Sequence, residues 1–402
     1  MPYSRLHFAF LNIGHFLDHF FMLVFATVAA LTLATEWGMS YGELIPYATP
    51  GFIAFGMFAL PAGWLADKWS RHAMMALFFI GIGACSILTA LATTPLHMGI
   101  ALFSMGFFAA IYHPVGIPLV IEGTTGGKTG MPIAVNGVFG NLGVASAALI
   151  TGFMIDNAGW REAFVWPGIF SIILGLVYIW LMTKMPQTAK APARKKSSKT
   201  TRSYQGVPLI RIFAIILMTT ALGGIIFQST TFALPKVFDE RLDALALSAT
   251  LVGLYAFLVF ALAALAQLVV GYLLDRHSAR SVFIGVAALQ ATFFAIMPGL
   301  TDWAALIVAV AFMLAVFGQI PINDVLVGRL TTSEWRSRVF ACRYIVTFSA
   351  LAASIPMIAW IHANWGFDRL FMLLAVVALC ILLAVLMLPR AIPARTQAAA
   401  AE

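Results

Sequence analysis

Residues 184–211 read KMPQTAKAPARKKSSKTTRSYQGVPLIR, and the rest of the chain is arranged on either side of them. The stretch carries Lys184, Lys190, Arg194, Lys195, Lys196, Lys199, Arg202 and Arg211 without a single Asp or Glu. Pro186, Pro192 and Pro208 interrupt any helix that would cross it. Long apolar runs flank it in both directions. A basic, Ser/Thr-rich segment between two apolar halves reads as a flexible linker on the cytoplasmic side of a membrane.

Composition supports that reading. Of 402 residues, 61% are hydrophobic and only 10% charged, against about 25% charged in an ordinary soluble domain. Lipid can solvate that much apolar surface. The formal charge of +8 is therefore no nucleic-acid footprint until the basic residues have been placed. Cys85, Cys342 and Cys380 are scattered through apolar runs, which gives neither a disulfide framework nor a metal spacing. The N-terminus, MPYSRLHFAF, enters an apolar segment without a small-residue cleavage site, so we expect a retained first helix and no signal peptide.

A spanning helix takes about 20 mostly apolar residues. Candidates fall at 8–34, 44–66, 73–93, 97–121, 131–155 and 162–183, then at 209–234, 247–274, 281–299, 303–328, 336–361 and 367–388, six on each side of the linker. With the N-terminus inside, the inner segments hold Arg5, Lys68, Arg71, Lys128, the linker, Arg276, Arg280, Arg329, Arg336, Arg338, Arg390 and Arg395. The outer loops hold only Arg161, Lys236, Arg241 and Arg369. The bias places both termini and the linker in the cytoplasm, with the basic residues facing anionic headgroups. The expected organisation is a bundle at 1–184, a linker at 185–208, a second bundle at 209–389 and a tail at 390–402.

A short signature occurs twice. Gly63-Trp-Leu-Ala-Asp67-Lys68-Trp-Ser-Arg71-His72 follows the second span, and Gly271-Tyr-Leu-Leu-Asp275-Arg276-His-Ser-Ala-Arg280 follows the eighth. An internal repeat of six-helix halves joined by a long linker is a transporter architecture. On these residues the chain resembles the major facilitator superfamily, whose marker between helices two and three is GxLaDrxGrr. Ser70 stands where that marker has Gly, and Ala279 where the first copy has Arg71. The resemblance implies an all-α membrane fold of 12 spans in two bundles, alternating access, and gating contacts at Asp67, Arg71, Glu122, Asp275 and Arg280. It implies that Asp67 meets a helix N-terminus of the other half and that Arg71 pairs with Glu122.

A narrower likeness rests on Gly14-His15-Phe-Leu-Asp18, on Tyr112-His113-Pro114, and on Gly140-Asn141-Leu-Gly143. These resemble the fosmidomycin-resistance branch, and that likeness implies proton-driven export of a small polar compound across a bacterial inner membrane. Uptake of an organic anion or siderophore-like metabolite is the alternative, and a non-transporting assembly or sensor protein on the same fold is a third.

An ionisable side chain at mid-bilayer costs about 3 kcal/mol on insertion scales, so each one calls for a reason. At 100° per residue, Asn12, His15, Asp18 and His19 form one polar stripe on helix one. Asp18, His15 and His19 could couple protons, since a carboxylate out of water holds its proton to higher pH and an imidazole titrates near neutrality. The stripe could also be a satisfied packing cluster or, less favoured, present ligands to a divalent metal, with His113 joining from helix four. Lacking a second dense cluster, we expect no metal and no cofactor. Substrate contacts are expected from Asn12, Tyr112, His113, Asn141, Gln228, Asn323 and Arg343, with Arg343 pairing with Asp324 or meeting an anionic substrate. The expected partners are a small-molecule substrate, protons and the bilayer, with no nucleic acid and no obligate protein. Gly123–Thr129 imitates a phosphate loop, but Glu122 stands where that motif needs its first Gly. No hydrolase motif is present, so an enzyme is not expected.

Overall fold

The computed structural model describes residues 2–123, 130–184, 209–330 and 333–388, leaving out the side chains at 2–4, 209–210, 324, 328–330 and 333–341. The basic linker and the C-terminal tail of the sequence reading lie outside the described residues. Among the described residues every element is helical. In chain order the long ones are α1 (Pro2–Val28), α2 (Thr49–Lys68), α3 (Arg71–Ala90), α4 (Pro95–Ala109 continued by Tyr112–Glu122), α5 (Gly130–Asn157) and α6 (Glu162–Lys184). Then follow α7 (Leu209–Arg241), α8 (Ala249–Arg276), α9 (Ala279–Ile296), α10 (Asp302–Leu330), α11 (333–365) and α12 (367–386).

Among the described residues, eleven helices are long and apolar enough to cross a membrane, and the last of them runs 45 residues from Cys342 to Leu386. That is more than twice the ~20 residues one crossing needs. Gly366, at φ 70° and ψ −176°, breaks it. Only a residue without a β-carbon takes that conformation cheaply, so α11 and α12 are separate crossings joined without a loop. Exposed residues such as Trp64, Phe170, Trp180, Leu265 and Leu379 ring the molecule, as expected of a surface solvated by lipid. The chain is a multi-pass integral membrane protein.

The repeated signature has a local physical cause. Ser70 and Ser278 are both extended N-cap residues whose hydroxyls accept from the backbone N–H of Ala73 and Ser281. The serine at the marker's glycine position starts the next helix. The packing repeats as well. In the first half α1 lies on α5, α2 on α4 and α3 on α6. In the second, α7 packs on the 333–386 helix, α8 on α10, and α9 on the 333–386 helix.

The halves meet through α5 with α8 and α2 with the 333–386 helix. Among the described residues, hydrogen bonds join them at the end opposite the linker. Asp156, at the end of α5, accepts from the backbone N–H groups of Ala249 and Thr250 at 3.2 and 2.7 Å. A first-half carboxylate thus caps the positive end of second-half helix α8. Nearby, Tyr41 packs edge-on to His362, which hydrogen-bonds Glu240 at 2.9 Å.

Candidate functional site

Helix α1 is central. Asn12, His15 and Asp18 of its polar stripe are buried and His19 is half-buried, and Leu17, Phe20, Phe21 and Leu23 on its other faces are buried too. The stripe therefore points mostly at protein, and its partners come from α4 and α5. Helix α4 breaks between Ala109 and Tyr112, just before Pro114. Proline has no N–H to donate and crowds the carbonyl four residues back. The break presents Tyr112 and His113 side by side to α1.

Two polar groups result, and they differ in how completely they are satisfied. Asn136 of α5 is the hub of the first. Its amide donates to the Asn12 side chain at 3.0 Å and to the Tyr112 hydroxyl at 2.8 Å. The Tyr112 hydroxyl donates to the Leu11 carbonyl at 2.7 Å. The Asn136 carbonyl accepts from His15 Nδ1 at 2.7 Å. Asn12 and Tyr112, expected to touch substrate, are both buried, and the Asn12 amide oxygen and the Tyr112 hydroxyl bond within the first half. The expectation missed the hub because the bonds join residues 24 to 125 positions apart. Replacing Asn136 with Ala leaves buried donors and acceptors unmatched, at about 1–3 kcal/mol. The melting temperature of the purified protein is expected to fall clearly, while Asn141→Ala, half-buried on the same helix, leaves it nearly unchanged. An unchanged melting point in Asn136→Ala would remove the hub role.

The second group is ionisable. Asp18 is 0% exposed, and its carboxylate stands 3.3 Å from His113 Nε2, which is 20% exposed. The ring of His15 stacks on Tyr112, centroids 4.8 Å apart. It lies 5.0 Å from His19 and 5.3 Å from His113, and His19 lies 5.4 Å from His113. The proton-coupling candidates and His113 therefore converge on one spot. From His113 an aromatic path crosses to the other half. Phe55 of α2 stands 5.9 Å from the His113 ring and 4.9 Å from Phe348 of α11, which stacks on Tyr344.

The second half answers with neutral amides. Gln228 and Asn323 are buried, and Gln228 Nε2 and Asn323 Oδ1 lack a hydrogen-bond partner. Gln290 donates to Gln319 at 2.9 Å, and Gln319 reaches the Thr219 carbonyl at 3.4 Å. Arg343 is half-buried on α11 beside Tyr344. The expected Asp324–Arg343 pair falls on a side chain outside the described residues.

At the linker end Arg71 binds Glu122 and, at 2.7 Å, Asp67. The Arg71–Glu122 partnership is the one expected. Asp67 takes Arg71 of its own half, where the resemblance implied a helix N-terminus of the other half. The second copy differs. Arg280 donates to the Leu386 carbonyl at 2.9 Å, and Asp275 is exposed.

Two repeated six-helix halves around a buried ionisable cluster define a carrier-type membrane protein. The sequence profile of the Major Facilitator Superfamily matches residues 11–261 and 238–402, and the chain belongs to that superfamily of transporters. A probable hexose phosphate transport protein of Chlamydia muridarum is 28% identical over 183 residues, covering 44% of this chain and 39% of that one. The chain thus spans only about two-fifths of the length of the first curated relatives it matches. A gallate transporter of Pseudomonas putida is 22% identical across 92% of this chain and 88% of its own length. Among solved structures, the xylose transporter XylE from E. coli, inward open, superposes with a TM-score of 0.75 at 12% identity, covering 96% of this chain and 97% of that one. At that identity the likeness concerns the fold. The finer resemblance, to the fosmidomycin-resistance branch, gains no support from these relatives.

Proposed function

We propose that this chain is a proton-coupled secondary transporter of a small organic anion. The observation that carries the reading is the fully buried Asp18 carboxylate 3.3 Å from His113 inside a cluster of imidazoles, next to an aromatic path through Phe55 and Phe348 to Tyr344. Charge at such depth is costly unless it is used. A proton added to the cluster attracts an anion, and by linkage the anion favours the proton by the same factor. Mutually favourable binding of proton and anion is the logic of co-transport. It puts uptake ahead of the export expected from sequence. The names of the hexose phosphate and gallate relatives add support, since both of those molecules are organic anions. Phe55, Phe348 and Tyr344 suit a planar or apolar body, and the buried amides Gln228 and Asn323 suit its polar end, with Arg343 half-buried beside Tyr344. Export of a small polar compound stands as the second reading, favoured by the His15, Asp18 and His113 pattern.

The test is flux into proteoliposomes under an imposed pH gradient, using labelled aromatic carboxylates and sugar phosphates. Accumulation driven by an inward proton gradient supports uptake. Extrusion from loaded vesicles turns the reading to export. A folded protein that moves none of them under either gradient supports the assembly or sensor reading.

We assign the linker end to the cytoplasm of a bacterial inner membrane. Arg5, Lys68, Arg71, Lys184, Arg211, Arg276 and Arg280 gather there, which is the positive-inside pattern. A reporter fused within 185–208 that is active only when exported would reverse this assignment. On the same reading, Asp67, Arg71 and Glu122 guard the cytoplasmic gate. These side chains are partly exposed, so the ion pairs contribute only about 0–1 kcal/mol to stability. Arg71→Gln is therefore expected to leave the melting temperature nearly unchanged and to slow transport severalfold. Wild-type turnover in that variant would assign the trio to topology alone.

A further inference from the structure

Three imidazoles meet where α1 faces the break in α4. One ring nitrogen from each of His15, His19 and His113 lies within 4.8 Å of the other two. Zinc sits about 2.0–2.1 Å from imidazole nitrogens in tetrahedral sites, which sets nitrogens about 3.4 Å apart. Closing the present set to that spacing brings the nitrogens together by at most about 1.4 Å.

The tautomer of His15 is the second observation. The Asn136 carbonyl can only accept, so His15 Nδ1, 2.7 Å away, carries the proton. Nε2 then bears a lone pair, and it is buried without a hydrogen-bond partner. Metal-binding histidines are held in this way, the far ring N–H donating to a backbone carbonyl and the near nitrogen left for the ion. Asp18, close beside His113, supplies negative charge to balance a dication. A set of neutral nitrogen donors suits zinc, cobalt or nickel and not the oxygen-seeking magnesium or calcium.

We propose that His15, His19 and His113 form a binding site for a divalent transition metal of the zinc class, tying α1 to the second segment of α4. The inference concerns the side chains of the coupling reading but does not rest on it. Metal binding is an equilibrium property of the resting protein, measured without gradient or substrate.

The test uses the full chain, purified through a histidine-free tag and stripped with chelator. Calorimetry with Zn²⁺ and visible absorption with Co²⁺ are expected to show one saturable site per chain. Affinity falls by more than about tenfold in His15→Ala and in His113→Gln, at least the loss seen when groups supporting a metal site are removed. His97→Ala, an exposed imidazole at the far end of α4, binds as wild type does. X-ray absorption of the wild-type zinc protein is expected to show imidazole nitrogens at about 2.0–2.1 Å; this measurement decides by itself should a variant fail to fold. Absence of saturable binding in wild type, undiminished binding in the two histidine variants, or a zinc spectrum without imidazole would overturn the site. Flux that persists in a protein that binds no zinc removes the metal and leaves the transport reading intact.

Discussion

Asp18→Asn is expected to leave a folded protein that no longer accumulates substrate against a gradient, a loss of roughly a hundredfold or more, the scale on which positioned proton-transfer groups act. The substitution keeps the shape and one acceptor oxygen but cannot take up and release a proton. Asp18 is completely buried, so exchanging a carboxylate for a neutral amide there lowers the cost of burial. Stability should hold or rise while gradient-driven transport disappears. Exchange of labelled for unlabelled substrate, which needs no net proton movement, should survive. This combination separates coupling from packing, because a packing role would lower the melting temperature and both kinds of flux together. Accumulation at the wild-type level in Asp18→Asn would make the Asp18–His113 pair a structural contact.

The parts of this molecule written in local sequence were legible, and those created by distant encounter were not. Span positions, the doubled signature and the helix-one stripe each rest on periodicity or a repeated motif. The Arg71–Glu122 contact followed from the superfamily resemblance. The stripe could be seen to be polar, but its fate could not. Asn12 was claimed by Asn136 while His15, Asp18 and His19 converged on His113. That division depends on how α4 breaks before Pro114, a tertiary fact. Asp156 is invisible in sequence as well, since an acidic residue at a helix end reads as solvated and gives no sign that it caps a helix of the other half. At 362–366 the sequence reading left a loop, and the structure has one residue, Gly366, turning the chain between helices. The two halves also differ in chemistry. Among the described residues of the spans, the first concentrates ionisable groups, whereas the second offers buried amides and Arg343. On the transport reading this asymmetry assigns coupling to the first half and much of the recognition to the second.

The second large effect lies where the halves touch. A β-carbon on Gly152 would collide with the Ala249 carbonyl, and one on Gly253 with the Ala148 carbonyl. Helices α5 and α8 thus approach backbone to backbone at the end opposite the linker, directly beneath the Asp156 cap. Gly253→Leu must push them apart. Overpacking of this kind costs about 1–3 kcal/mol, and since about 1.4 kcal/mol is tenfold, the closed arrangement at that end should lose roughly 5- to 150-fold in population. Both halves keep their own cores, so the protein should still fold and insert. Spin labels at the exposed residues Asn157 and Leu247, one in each half in a cysteine-free background, should report a longer separation, and transport should fall with the lost population. Gly285→Leu is the control, because nothing lies within 4 Å of a β-carbon there. If Gly253→Leu leaves label distance and turnover unchanged, the close approach of α5 and α8 is not part of the cycle. If it lengthens the distance and Asp156→Ala does so to a lesser degree, the pair and the cap act as one latch. Opening that end would then require only the separation of a backbone contact and the release of one carboxylate from the start of α8.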